Sequence, residues 1–300
     1  MGILLNLARK YREQKNSIYN CLRFVPDAQY LKLMFQLRMH RRLDLENPKT
    51  FNEKLQWLKL NYRSSRFTDM VDKYLAKDYA ASVIGDEYII KTYGVWNSFD
   101  EIDFDKLPQQ FVLKCTHDSG GLVICKDKSK LDIASAKKKI ERSLKCNFYY
   151  VGREWPYKNV KPRIIAEELL VDNNNEEIND YKFYCFGGKA KLLYLSKGLQ
   201  NHSTARINFV TLDWKPAPYR RSDYKEFEEL PKKPEKLAEM IKLSEKLSEG
   251  LPFLRVDFYE INNKVYFGEL TFFPGSGFTP FLSYEMDLEL GNMLQINSRK

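Results

Sequence analysis

Two acids, Asp257 and Glu269, lie in the segments Leu254-Arg255-Val256-Asp257-Phe258-Tyr259 and Val265-Tyr266-Phe267-Gly268-Glu269-Leu270-Thr271. Both segments are rich in aromatic and β-branched residues, and Asn262-Asn263 between them is a turn signal, so they predict a β-hairpin. Register decides the chemistry, because a one-residue slip sends a side chain to the other face. A loop of residues 262–264 pairs Ile261 with Val265 and hence Asp257 with Glu269. A two-residue loop puts the acids on opposite faces. In the first register two like charges sit about 5 Å apart, which is destabilising unless a cation lies between them. Mg²⁺, bridging to phosphate oxygens, is a hard cation suited to that position. The competing reading is two surface acids in an ordinary hairpin. Arg255, Asp257 and Tyr259 alternate onto one face. Arg255 there either stabilises charge on a transferred phosphoryl group or simply pairs with Asp257.

Other residues add charge to apolar surroundings. Lys114 is the only charge in Phe111-Val112-Leu113-Lys114-Cys115, which runs into the loop Thr116-His117-Asp118-Ser119-Gly120-Gly121. Backbone N–H groups of such a loop can approach an oxyanion closely, and the lysine supplies a point charge. The alternative is a lysine on the solvent face of an edge strand. Ile164-Ile165-Ala166-Glu167-Glu168-Leu169-Leu170 sets two acids in a buried run, where acids are rarely unpaired. One of them at a rim could accept hydrogen bonds from a ribose. Asp180, Lys182 and Arg206 are further charges in or beside apolar segments.

The elements that must position these groups form an α-rich beginning followed by a mixed region, an α+β order. Residues 1 to about 65 read as helices, with Thr50 and Glu53 as a capping box ahead of Leu55, Trp57 and Leu58. A helix over 69–84 stops at Gly85. Strands follow at Phe111–Cys115 and Leu122–Cys125, then a helix capped by Asp132 with Ala136, Ile140 and Leu144 inward. A strand is expected at Arg163–Val171 and a hairpin at Asp180–Ser196, turning at Gly187-Gly188. The stretch 215–234 reads as a surface connection, and a helix opened by Pro234 closes at Gly250.

Composition narrows the class. The 300 residues are 43% hydrophobic and carry a net charge of +9, scattered among acids rather than gathered in blocks. That charge suits anionic small substrates or lipid headgroups, and no nucleic-acid recognition motif accompanies it. The five cysteines form no CxxC pair and read as reduced thiols of a cytoplasmic protein. The three histidines are far apart, which argues against zinc. No run of apolar residues is long enough for a transmembrane helix, and the first residues carry no cleavable signal pattern. Ile3, Leu4, Leu5, Leu7 and Ala8 with Arg9, Lys10 and Arg12 suit a basic amphipathic helix. It either lies peripherally on the inner membrane face or docks on its own domain.

The ordered set of pieces resembles the ATP-grasp fold, and more closely the TupA-like ATP-grasp family of cell-surface polysaccharide biosynthesis. The resemblance rests on Phe51-Asn52-Glu53-Lys54, Asp72-Lys73-Tyr74, Lys114-Cys115-Thr116-His117-Asp118-Ser119-Gly120, Asp180-Tyr181-Lys182 and Gly268-Glu269-Leu270-Thr271-Phe272-Phe273-Pro274-Gly275-Ser276-Gly277. It implies a helical region over 1–65 and an ATP-grasp domain over 66–300. Within that domain, α+β lobes at about 105–165 and 166–290 flank a nucleotide cleft. By the same resemblance Lys114 contacts ATP phosphates and the loop of His117, Ser119, Gly120 and Gly121 folds over them. Glu167, Glu168 and Leu169 line adenine and ribose, with Asp180 beside them. Asp257 and Glu269 bind Mg²⁺, with Thr271 standing where many ATP-grasp enzymes have Asn. The implied activity is ligation: a carboxylate becomes an acylphosphate and an amine attacks it. The substrates expected are a sugar acid or polysaccharide precursor and an amino acid or similar amine, with Arg255, Arg206 and Lys182 acting on them. The alternatives are a sugar kinase on the same scaffold and a nucleotide-binding accessory protein of a glycosyltransferase complex.

Overall fold

Local capping and turn chemistry set the frame that carries the charged residues. The computed structural model describes residues 22–118, 120–173, 177–198 and 204–296. The amphipathic segment 3–12, Ser119, Cys21 and His202 lie outside them. Helix α1 spans Asp27–Met39 and α2 spans Phe51–Asn61. The capping box forms as expected: the Thr50 hydroxyl accepts from Glu53 N–H and the Glu53 carboxylate accepts from Thr50 N–H. Helix α2 buries Phe51, Leu55 and Leu58 in the largest core of the molecule.

The single helix expected over 69–84 is two: α3, Arg66–Val71, and α4, Leu75–Ile84. Asp72 causes the break. Its carboxylate accepts from the N–H groups of Tyr74 and Leu75, offering the backbone an alternative to helix continuation. Gly85 then ends α4 at φ +111°.

Two antiparallel sheets follow. The first contains β1 (Thr92–Trp96), β2 (Phe111–Cys115), β3 (Leu122–Cys125) and β4 (Ile164–Glu168), ordered β1-β4-β2-β3. The strand expected over 163–171 is thus shorter. Helix α5, Ile133–Leu144, is capped by Asp132 and packs on β2 and β3 through Ala136 and Ile140. A short helix, α6, covers Tyr149–Gly152.

The second sheet contains β5 (Asp180–Phe186), β6 (Lys189–Lys197), β7 (Arg206–Thr211), β8 (Phe253–Ile261) and β9 (Lys264–Thr271), ordered β7-β6-β5-β8-β9. Helix α7, Leu237–Leu247, packs on its β5, β6 and β8 strands, and α8 spans Tyr284–Met293. Gly187 and Gly188 turn the β5–β6 hairpin, both at positive φ. The connection 215–234 is tied down rather than loose, with Arg221 bridging to Phe281 and Val210 to Pro216.

The β8–β9 hairpin corrects one expectation. Its loop is two residues, with Ile261 paired to Lys264 and Asn262 and Asn263 at φ 53° and 60°. A β-bulge then inserts Gly268, so that Phe258 faces Phe267 while Asp257 still faces Glu269. The acids share a face for a different reason than the one expected. Among the described residues no helix is long and apolar enough to cross a membrane, and Cys115, Cys125 and Cys185 are buried free thiols.

Candidate active site

Strand register assembles the charged residues into rows across one face of the second sheet. Glu269 of β9 faces Asp257 of β8, which faces Lys182 of β5, which faces Tyr194 of β6. The neighbouring row runs Thr271, Arg255, Tyr184. On the other side it runs Tyr259, Asp180, Ser196. Alternation along each strand makes these one surface.

The charges are paired with short contacts. The Arg255 guanidinium donates to both oxygens of Asp257, at 2.7 and 2.6 Å, and to Glu269 Oε1 at 2.6 Å. Lys182 Nζ donates to Asp257 Oδ2 at 2.7 Å and to Asp180 Oδ2. The Asp257 side chain is 1% exposed, whereas that of Glu269 is 45% exposed. Burial pushes Asp257 up to about 6 against the pull of Arg255 and Lys182. For Glu269 burial acts upward too, but Arg255, Lys182 and Lys73 prevail and hold it down, to about 2. Burial acts to lower Lys182, and the carboxylates of Asp180 and Asp257 overcome it and raise it.

A cavity of about 570 Å³ opens between the sheets. The first sheet contributes Val112, Lys114, Leu122 and Ile124; the second contributes Asp180, Ser196 and Tyr259; Glu168 and Leu169 lie on the link. Asp180 Oδ1 and Ser196 Oγ, cross-strand partners on this wall, are buried without a hydrogen-bond partner among the described residues. Orphaned polar atoms are uncommon in folded proteins and here point to a polar ligand.

Several expected site residues lie elsewhere. Glu167, expected to line adenine and ribose, is 3% exposed and does not line the cavity. Its oxygens take Lys77 Nζ and Lys114 Nζ, each at 2.5 Å. Burial acts to raise Glu167, but these two lysines hold it below the ordinary glutamate value. His117 is buried, with Nε2 at 3.1 Å from the carbonyls of Ser143 and Cys146 at the end of α5. The Gly121 N–H donates inward to the Asp118 carboxylate, and a Cβ there would lie 2.6 Å from Cys115 Sγ. Gly120 does not line the cavity. Arg206 sits at the start of the edge strand, its Nη1 donating to the carbonyls of Thr204 and Ala205, and it does not join Arg255.

Sequence reasoning missed Lys73 and Lys77. Lys73 Nζ donates to the Asp118 carbonyl and the residue lies beside Glu269. Lys77 falls on the face of α4 that buries Ala80 and Ile84. A lysine at a core-facing helical position was the available signal.

The donor set suits a hard cation. Among the described residues no group of three or more His, Cys, Asp or Glu side chains is placed to hold a metal. Asp257 and Glu269 do face each other, and Thr271 Oγ1 lies 3.4 Å from Glu269 Oε1. Two carboxylates completed by phosphate oxygens and water are a common Mg²⁺ arrangement. Arg255 donates to both acids.

The TupA-like ATPgrasp family matches residues 53–295. No curated protein matches the chain significantly. Among solved structures, a D-alanine–D-alanine ligase from Helicobacter pylori is 16% identical, with TM-score 0.42, covering 83% of this chain and 70% of that one. An N5-carboxyaminoimidazole synthetase from Staphylococcus aureus is 14% identical, with TM-score 0.40, covering 68% of this chain and 44% of that one. The ATP-grasp ligase PsnB with its minimal precursor is 11% identical, with TM-score 0.39, covering 73% and 59%. Matched over most of its length, the α+β chain belongs to the TupA-like ATP-grasp family.

Proposed function

We propose that the chain is an ATP- and Mg²⁺-dependent ligase that activates a carboxylate as an acylphosphate for attack by an amine, in cell-surface polysaccharide biosynthesis. The observation that carries this is the junction of the cavity with the charged row. Asp180 reaches both: its residue lines the cavity and its carboxylate holds Lys182, which holds Asp257. A nucleotide in the cavity would offer ribose hydroxyls to Asp180 Oδ1 and Ser196 Oγ, the buried atoms without a hydrogen-bond partner among the described residues that lie on residues lining the cavity. Lys114 on the same wall would meet phosphates, with Glu168 and Leu169 beside the base.

Asp257 and Glu269 would hold Mg²⁺, which when bound supplies charge neutralisation on phosphate oxygens. The side chains of the chain do the rest. Lys182 and Arg255 are buried cations beside the position of the transferred phosphoryl group, where charge develops. The acceptor carboxylate oxygen attacks the γ-phosphorus and the bond to ADP breaks. The amine then attacks the acyl carbon, phosphate leaves, and a proton is released. No enzyme nucleophile is required. The acceptor fitting this reading is a uronate or other sugar acid, and the amine an amino acid.

The test is ADP and phosphate release from ATP across a panel of uronates and amino acids. Release that requires both an acid and an amine supports the ligase reading. A stable phosphorylated sugar without amide would instead make the chain a kinase. Nucleotide binding with no turnover on any pair would make it an accessory binding protein.

A further inference from the structure

Glu167 occupies a place the nucleotide reading leaves unexplained. It is buried at the wall of the cavity without opening to it, and it takes one lysine on each oxygen. The two lysines differ. Lys114 lines the cavity and its side chain is 27% exposed. Lys77 does not line the cavity, its side chain is 10% exposed, and it is fixed by the Ile90 carbonyl at 2.6 Å and Thr92 Oγ1 at 2.9 Å. Thr92 is itself the register partner of Glu167 between β1 and β4. The carboxylate is therefore held from behind by Lys77, while its other oxygen lies 2.5 Å from the Lys114 ammonium.

We infer that Lys77 and Glu167 are positioning residues for Lys114, and that Lys77 leaves the trio one net positive charge to offer an anionic phosphate. Paired with Glu167 alone, Lys114 would be neutralised and would present little field to the cavity. Two ammonium groups on one carboxylate keep the aim of an ion pair and the charge of a free lysine. The low-dielectric wall makes that residual charge felt at several ångströms. The inference rests on the nucleotide reading and assigns a role to a residue that never touches the nucleotide. The competing account is an ion pair that ties α4 to the first sheet and does nothing else.

ATP and adenosine distinguish the two. The experiment titrates ATP with Mg²⁺, and separately adenosine, into the full chain and into Lys77→Met, Lys114→Met and the double variant, at two salt concentrations. Lys77→Met is expected to weaken ATP about tenfold, to leave adenosine unchanged, and to flatten the salt dependence of ATP binding. The double variant is expected to bind ATP no more weakly than Lys114→Met, because Lys77 acts through Lys114. If Lys77→Met fails to fold, Lys77→Gln, which can still donate to Ile90 and Thr92, serves the same comparison. Equal loss of ATP and adenosine, unchanged ATP binding, or additive losses in the double variant would each overturn the inference. A wild type that binds neither ligand overturns the nucleotide reading itself, and this inference with it.

Discussion

Asp257 faces Glu269 because Gly268 is an extra residue in its strand. From the Asn262-Asn263 turn the pairs run Ile261 to Lys264, Glu260 to Val265, Tyr259 to Tyr266 and Phe258 to Phe267. A regular ladder would continue Asp257 to Gly268 and point Glu269 away. The bulge moves Glu269 into the place of Gly268, onto the face that carries Arg255 and Lys182. The candidate metal pair therefore depends on a backbone irregularity.

Gly268→Val tests that dependence. A Cβ at this position meets the Asp257 carbonyl at 3.0 Å and the Tyr259 ring at 3.2 Å, so these neighbours must give by a few tenths of an ångström, and the larger valine asks for more. The expected cost is about 1–3 kcal/mol of stability, with weakened Mg²⁺-dependent ATP binding. Thermal unfolding and calorimetry with and without Mg²⁺ read both. A valine variant with wild-type stability and wild-type Mg²⁺ dependence would show that the bulge does not set the pair.

The two acids should separate by their effect on folding. Asp257 is buried against two cations, so Asp257→Asn leaves Lys182 and Arg255 undercompensated, a loss of about 3–5 kcal/mol. Glu269 is 45% exposed, so Glu269→Gln should cost under about 1 kcal/mol in stability. Both should abolish Mg²⁺-dependent turnover. Glu269→Gln is the cleaner variant, because its loss of turnover cannot come from unfolding. If it turns over like wild type, Glu269 holds no metal.

The elements most legible in the sequence were those with local chemistry. The Thr50–Glu53 capping box, the Asp132 cap and the Gly187-Gly188 turn each rest on residues within a few positions of one another. Of the two loops the sequence allows, the structure has the two-residue one, expected to separate Asp257 from Glu269. The acids still face each other because of the bulge at Gly268, which leaves little trace in the sequence beyond the glycine's identity. The break at Asp72 was missed because the apolar spacing of α4 continues across it, while the carboxylate that stops the helix acts by hydrogen bonding. The family resemblance places Glu167, Glu168 and Leu169 together at adenine and ribose, and of the three only Glu168 and Leu169 line the cavity. Glu167 pairs in register with Val112, on the same sheet face as Lys114, but Lys114 and Lys77 close over its carboxylate, and only the tertiary approach of α4 supplies Lys77 to meet it. Arg206 and Arg255 look alike in sequence, yet Arg206 lies at the start of edge strand β7 and Arg255 lies on inner strand β8 between Asp257 and Glu269.

Glu167 should also shape acid stability. Its folded-state carboxyl is held below the ordinary value by Lys114 and Lys77, against burial. A depressed carboxyl stabilises the fold above the unfolded value near 4.5, and that stability drains away as pH falls through the folded value. Glu167→Gln should therefore lower the melting temperature at pH 7 relative to wild type, with the gap closing below about pH 4.5. Unfolding scans at pH 7 and at pH 4 measure it. A gap that stays constant across that window would falsify the ion-pair account of Glu167.

Lys59 carries the last prediction, at a distance from the cavity. It is fully buried, and its Nζ donates to Gln56 Oε1 at 2.9 Å and to the carbonyls of Gly152 and Ser276 at 2.6 and 2.7 Å. Burial lowers it to about 7, although the neighbouring Glu154 pulls it upward. Ser276 lies in a turn where Gly275, Ser276 and Gly277 are all left-handed, a conformation the serine holds only under constraint. That turn begins three residues after Thr271, so Lys59 fixes the exit of the strand that carries Glu269. Lys59→Met should cost about 3–5 kcal/mol by leaving the carbonyls and Glu154 without their cation. Lys59→Met with Glu154→Gln should recover part of that cost, since neither charge then remains buried alone. In both variants ATP affinity should hold, because neither residue lines the cavity, while turnover falls as the strand exit loosens. Steady-state kinetics with the missing substrate identified, or ATP hydrolysis before then, separates the two constants. A fall in affinity with unchanged turnover would place the effect of Lys59 on the cavity instead.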